Sequence, residues 1–436
     1  PDQARQIYAD YVSQLKTKGF AGDCSVDEGM LTPFATDNSI YQRMPSAVIF
    51  PKSVDDVSLA LKLVGEERFA SIVVSPRGGG TGTNGQSLTN GVVIDLSRHM
   101  NGILEINAEE GWARVQPGCV KDRLNAALEA DGMFFAPELS TSNRATIGGM
   151  INTDASGQGS CLYGKTRDHV LELTTVLSDG TIWRSAPLSD DELQTIEARD
   201  DLAGSIHRTV NTLQRENAAR IEAGFPNLNR CLTGYDLAHI RNAEGAFDLN
   251  ALICGSEGTL GIVVEARVNV LKKPAHAVLV NISYADFDFA MRDARLLAGH
   301  NPASVETIDS RVVGLARNDI VWTGVSEFFP FDADKLQAIN IVEFVGEDKA
   351  ELDRKAARLL DALEAGHSEG RLGSTTTADP DAIKRVWGMR KRSVGLLGNM
   401  EGEKRPIPFV EDTAVPPEHL ADFIAEFRAV LDSHGL

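Results

Sequence analysis

The sequence predicts an α+β fold. Two α+β subdomains fill about residues 1–271, and an incomplete α+β domain follows them. Three observations carry this. Short β-branched runs alternate with amphipathic helical stretches through the first part of the chain. Dense glycine clusters lie on loops beside predicted strands. Past Lys272 the texture changes to new strands and Ala/Leu/Arg-rich helices. A chain of 436 residues is long enough for more than one core. The division expected is a helical lead-in over 1–45, a main domain over 46–271 and a second domain over 272–436.

The elements follow in order. Gln3 to Lys16 is helical, and Ala47–Phe50 is a strand. Ser53 with Asp56 three residues later resembles a capping box that opens the helix Val54–Gly65. Ser71–Ser75 is a second strand that runs into a glycine loop, and Val92–Leu96 is a third. Trp112–Gln116 alternates like a half-buried strand, and Val120–Ala130 is an amphipathic helix. Val170–Leu177 and Thr181–Arg184 flank an Asp179-Gly180 turn, which reads as a hairpin. Ser189–Ala223 is charged and helical. Strand character returns at Leu252–Cys254 and Gly261–Leu271. In the second domain come Val278–Ser283, a helix near Phe287–Gly299, Ala338–Val345 and the helix Lys349–Gly366. Residues 367–405 read as polar loop plus a basic helix around Lys384–Val394, and Ala421–Leu431 closes as a helix.

Lys+Arg 43 against Asp+Glu 62 gives a net charge of −19. An acidic surface repels phosphate backbones, which argues against nucleic acid as a partner. No apolar run approaches the ~20 residues needed to cross a bilayer, and no signal-peptide pattern is seen. The five cysteines (Cys24, Cys119, Cys161, Cys231, Cys254) form no CxxC pair. That argues against a disulfide framework or a metal cluster built from this chain, fits a cytoplasmic setting, and leaves five buried thiols as the expectation.

Two motif matches mislead. Gly80-Thr81-Gly82-Thr83-Asn84-Gly85 fits GxGxxG, but no helix fits before the next strand, so a Rossmann site is rejected. Gly159 to Thr166 fits GxxxxGK[ST], but a strand pattern follows where a P-loop needs a helix.

Three glycine clusters remain. The first is Pro76-Arg77-Gly78-Gly79-Gly80-Thr81-Gly82-Thr83-Asn84. The second runs from Ala145-Thr146-Ile147-Gly148-Gly149-Met150-Ile151-Asn152 through Ser156-Gly157 to Tyr163-Gly164. The third is Gly255-Ser256-Glu257-Gly258-Thr259-Leu260-Gly261-Ile262-Val263. Any one alone reads best as tight turns. Three together point to backbone N–H groups converging on an anion such as a diphosphate.

The order PRGGGT, TIGGMIN, GSEGTLGI resembles the FAD-binding domain of the vanillyl-alcohol oxidase / p-cresol methylhydroxylase (PCMH) superfamily. The nearer likeness is to the FAD-linked (R)-2-hydroxyacid dehydrogenases, with Gly234-Tyr235-Asp236-Leu237 and Glu411-Asp412-Thr413-Ala414-Val415-Pro416 as further landmarks. The lead-in and Pro406-Ile407-Pro408-Phe409 look most like the flavin half of a long bacterial type. That type fuses this half to an iron–sulfur half and is linked to D-2-hydroxyglutarate oxidation.

The resemblance implies a PCMH-type FAD-binding domain and a partial substrate (cap) domain. It implies that Arg77 to Asn84 wrap the FAD diphosphate. Pro137, Ser140, Thr146, Gly148, Gly149 and Asn152 would line the ribityl chain and flavin ring, continued by Ser156, Gly157, Tyr163 and Gly164. Glu257, Gly258, Gly261 and Ile262 would close the adenine and ribityl side. Covalent members of the family often carry a His near the first loop. None stands between Phe69 and Arg98, so dissociable FAD is expected.

Oxidising a 2-hydroxy acid needs hydride transfer to flavin N5, a base for the hydroxyl proton, and a cation for the carboxylate. Within the basic stretch Lys384–Arg392, Trp387-x-x-Arg390 resembles the family's carboxylate-binding element. Arg405 is a second candidate. Glu411 and Asp412 fit either the site or a turn. The family's paired histidines, expected after the last helix, are not among the nine present, which form no HxH or HxxxH pair. Metal and iron–sulfur sites are therefore expected only beyond Leu436, and this chain alone is expected to be weakly active or inactive. D-lactate or glycolate oxidation, and a flavin-binding module without turnover, are the rival readings. The electron acceptor and any homo-oligomer are left open.

Overall fold

The structure, a computed structural model, describes residues 2–226, 228, 230, 234–331, 334–366, 370–396 and 413–436. Its chain divides into two compact units. The first comprises Pro1–Ser156 and Lys165–Lys272; the second comprises Gly157–Gly164 and Lys273–Leu436.

In the first unit the strands are β1 (Asp23–Ser25), β2 (Ala47–Phe50), β3 (Val74–Arg77), β4 (Val92–Asp95), β5 (Ile103–Asn107), β6 (Trp112–Val115), β7 (Met133–Phe134), β8 (Val170–Val176), β9 (Ile182–Ser185), β10 (Ile262–Asn269) and β11 (Leu271–Lys272). One sheet has the order β1-β2-β4-β3, with β2, β4 and β3 parallel and β1 antiparallel at its edge. Parallel strands covered on both faces read as unbroken apolar runs, and every residue of β2 and β4 is buried. The helices Asp2–Thr17 and Val54–Val64 pack here through Tyr11, Leu15, Val57 and Leu61. The second sheet, β5-β6-β10-β8-β9, is antiparallel, and its apolar face is covered by Leu124, Leu128, Ile147, Ile151 and Phe247. The hairpin β8–β9 turns at Asp179-Gly180 as the sequence predicts.

Several expectations are corrected. Leu252–Cys254 is not a strand: Asn250–Ile253 is one helical turn, its residues buried all round, and periodicity cannot type so short an apolar run. The strand expected at Ser71–Ser75 lies at Val74–Arg77, because it pairs in register with β4. Ser53 caps its helix by accepting from the Asp56 N–H, but the reciprocal bond is not made. The Asp56 carboxylate instead takes the N–H groups of Ala21 and Lys52. The thiols are not uniformly buried. Cys119 and Cys254 are, Cys24 is half-buried and Cys161 is exposed, while Cys231 lies outside the described residues.

The second unit is one antiparallel sheet in the order β13-β14-β12-β15, with β12 at His276–Tyr284, β13 at Ser304–Asp309, β14 at Ala338–Gly346 and β15 at Arg371–Thr377. Helices Phe287–Ala298 and Lys349–Ala365 cover one face and Pro380–Leu396 the other. The stretch read as polar loop at 367–405 thus includes a strand. Arg371–Thr377 is rich in Thr and Ser and little buried, so it lacks the apolar alternation that marks a strand. Among the described residues no helix is long and apolar enough to cross a membrane.

Candidate functional site

In the first unit the first glycine cluster leaves the end of β3, and the structure brings the other two to it. A Cβ on Gly78 would collide with Thr146 Oγ1, and one on Gly79 with the carbonyl oxygen of Arg144. Gly258, at φ +75°, sits against Pro76, where a Cβ would lie 2.7 Å from the ring. The first cluster therefore meets the other two so closely that a side chain at Gly78, Gly79 or Gly258 would collide.

Side chains tie the clusters together. Thr146 caps the helix Ile147–Asn152, its hydroxyl accepting from Gly149 N–H at 3.3 Å. At the far end of that helix Asn152 Oδ1 accepts the Gly258 N–H at 3.0 Å, and its backbone carbonyl accepts the Glu257 N–H at 2.9 Å. Glu257 carries a positive φ of +54°. Burial pushes its carboxyl up, against a hydrogen bond from Gln86 that pulls it down. Gln86 also accepts the Asn84 N–H at 3.1 Å, which joins the third cluster to the first.

What remains open is the backbone of the first loop. Among the described residues no acceptor meets the N–H groups of Gly78, Gly79, Gly80, Thr81 or Gly82, and these residues are partly or fully exposed. Ser256 Oγ in the third cluster is buried and also without a partner there. Unsatisfied donors gathered in one loop are what a diphosphate group needs, so the residues present fit the group.

The Arg77 guanidinium donates to Thr36 O of the lead-in at 2.8 Å and to Ser87 Oγ, just past the first cluster, at 3.3 Å. Pro137 is buried and Ser140 exposed on the stretch leading to Thr146. Ile262 starts β10 directly after Gly261, and Ser156 ends the first segment of the unit. Lys165, the lysine of the false P-loop, makes a 2.7 Å ion pair with Asp154 in which both side chains are 4% exposed. Arg167 pairs with Asp236 of the Gly-Tyr-Asp-Leu landmark, and Tyr235 OH meets Thr259 Oγ1 at 2.8 Å.

In the second unit Gly157, Tyr163 and Gly164 belong to a short segment containing the helical turn Ser160–Tyr163. Gln158 on that segment reaches Glu343 Oε2 at 3.5 Å. Trp387 and Arg390 both lie on the helix Pro380–Leu396 and both engage acids of the sheet. Trp387 Nε1 donates to Glu343 Oε1 at 3.0 Å; Arg390 Nε and Nη2 donate to Glu306 Oε2 at 3.0 and 2.8 Å. Burial raises the Glu343 carboxyl above its ordinary value, more than the bonds from Trp387 and Gln158 lower it. Burial, then the Glu343 charge, raises the Tyr163 phenol. Glu306, Glu343 and Gln86 were not singled out in the sequence: an acid in a strand pattern is expected to face water. Arg405, Pro406–Phe409, Glu411 and Asp412 lie outside the described residues. Among those described, no group of three His, Cys, Asp or Glu side chains is placed to hold a metal.

Residues 45–186 match the FAD binding domain family, and residues 273–436 match the C-terminal domain of FAD linked oxidases. The chain is 57% identical over 98% of its length to the D-2-hydroxyglutarate dehydrogenase of Pseudomonas putida KT2440, and 50% identical over 99% to that of Escherichia coli K12. It spans 43% of the length of each of these relatives. It is 29% identical over 91% of its length to the Bacillus subtilis Glycolate oxidase subunit GlcD, of which it covers 70%. Among solved structures, alkyldihydroxyacetonephosphate synthase aligns with a TM-score of 0.63 at 19% identity, covering 90% of this chain and 64% of that one, a likeness of fold.

Proposed function

Since the chain belongs to the FAD-linked oxidases, with the PCMH-type arrangement of an FAD binding domain and an FAD linked oxidase C-terminal domain, we propose that it is the flavin-binding part of a dehydrogenase for an (R)-2-hydroxy acid. The substrate proposed first is D-2-hydroxyglutarate, giving 2-oxoglutarate. The observation that carries the reading is the meeting of three glycine clusters around amides that meet no acceptor among the described residues. The likeness to two proteins named D-2-hydroxyglutarate dehydrogenase supports the substrate.

FAD bound there would supply the ring nitrogen that accepts a hydride from the hydroxylated carbon. The chain's own residues do the holding. The loop Gly78–Gly82 offers N–H groups to the diphosphate. Thr146, Gly148, Gly149 and Asn152 fix the loop's depth, and Glu257, Gly258 and Gly261 close the opposite side. With no His between Phe69 and Arg98 to attach to, the FAD is non-covalent. Arg390 anchors the substrate carboxylate, with Arg405 as a second cation for the distal carboxylate of a diacid. The proton-accepting group, the divalent metal and any iron–sulfur cluster are assigned to sequence outside this chain. A cytoplasmic location goes with the reading.

The test is anaerobic reduction of the FAD-loaded full-length protein by D-2-hydroxyglutarate, D-lactate and glycolate. Loss of flavin absorbance fastest with D-2-hydroxyglutarate is expected. Preference for glycolate or D-lactate, which the likeness to the glycolate oxidase subunit favours, would move the substrate. No bleaching by any of the three would leave a flavin-binding module.

A further inference from the structure

The Trp387-x-x-Arg390 element does not reach into open space: two acids of the sheet hold it. β13 and β14 pair with Ser304 opposite Glu343 and Glu306 opposite Ile341. Residues opposed in an antiparallel pair share a face, so Glu306 and Glu343 stand diagonally on one face of the sheet. Ile339 and Ile341 occupy the same face and pack with Val386 and Met389 of the helix Pro380–Leu396. A diagonal on a sheet spans about 7–8 Å, close enough to the spacing of residues three apart on a helix, about 5–6 Å, for both pairs to form at once.

Placing two carboxyl groups under a helix is costly unless each is partnered. Glu306 gives one oxygen to both Nε and Nη2 of Arg390, which fixes the plane of the guanidinium and leaves Nη1 out of that contact. Arg390 remains 32% exposed while Glu306 is 19% exposed, so the cation stays the more accessible member. Glu343 takes Trp387 Nε1 on one oxygen and Gln158 on the other. It thereby connects the helix to the glycine-rich segment Gly157–Gly164 of the same unit. Asn281 Oδ1, buried on this face opposite Ile341, has no partner among the described residues.

We propose that Glu306 and Glu343 are the positioning residues for Arg390. Glu306 sets the guanidinium plane, and Glu343 locks the helix through Trp387, so that the fork meets the carboxylate of a 2-hydroxy acid in one orientation. This rests on the reading of Arg390 as the substrate's carboxylate anchor. It adds that the anchor's geometry is dictated by two acids of the sheet rather than by the helix that carries it.

The test is steady-state kinetics on the FAD-loaded full-length protein with D-2-hydroxyglutarate, comparing Glu306→Gln, Glu343→Leu, Arg390→Lys and the double variants. Loss of aim without loss of chemistry raises KM about tenfold for Glu306→Gln and for Glu343→Leu, with kcat within about threefold. In the Arg390→Lys background either change should shift KM less than about twofold, because both act through that side chain. Thermal melting identifies any variant that fails to fold, and Glu306→Asp then replaces Glu306→Gln, with an intermediate KM expected. Unchanged KM values, or effects that add in the double variants, would overturn the inference while the function stands. A wild-type protein that oxidises no 2-hydroxy acid would overturn the function and this inference with it.

Discussion

Asn152 and Gly258, 106 residues apart, are joined by one hydrogen bond: Asn152 Oδ1 accepts the Gly258 N–H at 3.0 Å. The same side chain donates from Nδ2 to the Gly148 carbonyl at 2.8 Å. One amide therefore locks the third glycine cluster onto the second, and a pair of backbone groups depends on it.

Asn152→Ala leaves the Gly258 N–H without its acceptor, a loss of about 1–3 kcal/mol. The expected outcome is lower FAD content with the fold retained, read as the ratio of flavin to protein absorbance. Wild-type FAD content in this variant would count against the bridge.

Gly258→Ala tests the third cluster directly. The backbone is left-handed at φ +75°, and the new methyl would meet Pro76. Both effects destabilise, together by more than about 1 kcal/mol, and the strain falls on the first cluster. A lower melting temperature and a weaker FAD dissociation constant by titration are expected.

Lys165→Met separates structure from nucleotide hydrolysis. Breaking the buried pair strands Asp154 and should cost about 3–5 kcal/mol in urea unfolding. The double change Lys165→Met with Asp154→Asn should recover part of it, because Asn tolerates the positive φ of 45° at this position and keeps an acceptor for the Arg167 N–H. ATP should give no stabilisation of the wild-type protein, since its Lys165 is spent on Asp154.

Glu343→Gln tests the raised carboxyl by pH. Burial lifts the folded-state value above that of the unfolded chain. Between the two values the folded protein binds a proton that the unfolded chain has lost, so stability falls as pH rises through that window. At pH below both, the effect is absent. The Gln variant lacks the titration, so its melting temperature should gain on the wild type as pH goes from about 4 to 8. Parallel curves would contradict the assignment.

The sequence was most legible where glycine and apolar runs set the geometry. Val92–Ile94 and Ala47–Phe50 read as strands because they are apolar on both faces, and the three clusters are close because their glycines leave no side chain in the way. Side-chain partners were not legible. Arg77 was expected in the loop around the diphosphate, and nothing local in the sequence shows that its guanidinium is held by Thr36 and Ser87, 41 and 10 residues away. Glu306 and Glu343 carry no local signal, since only the register of β13 on β14 turns them toward the helix. Arg371–Thr377 escaped because a Thr-rich edge strand has no apolar face to announce it.

The most direct measurement is the FAD stoichiometry of purified wild-type protein beside Gly79→Val, whose side chain would strike the Arg144 carbonyl at the point where the first two clusters meet. One FAD per chain in the wild type and a folded, colourless variant are expected. A Gly79→Val protein that folds and stays fully yellow would contradict the placement of the cofactor on this loop.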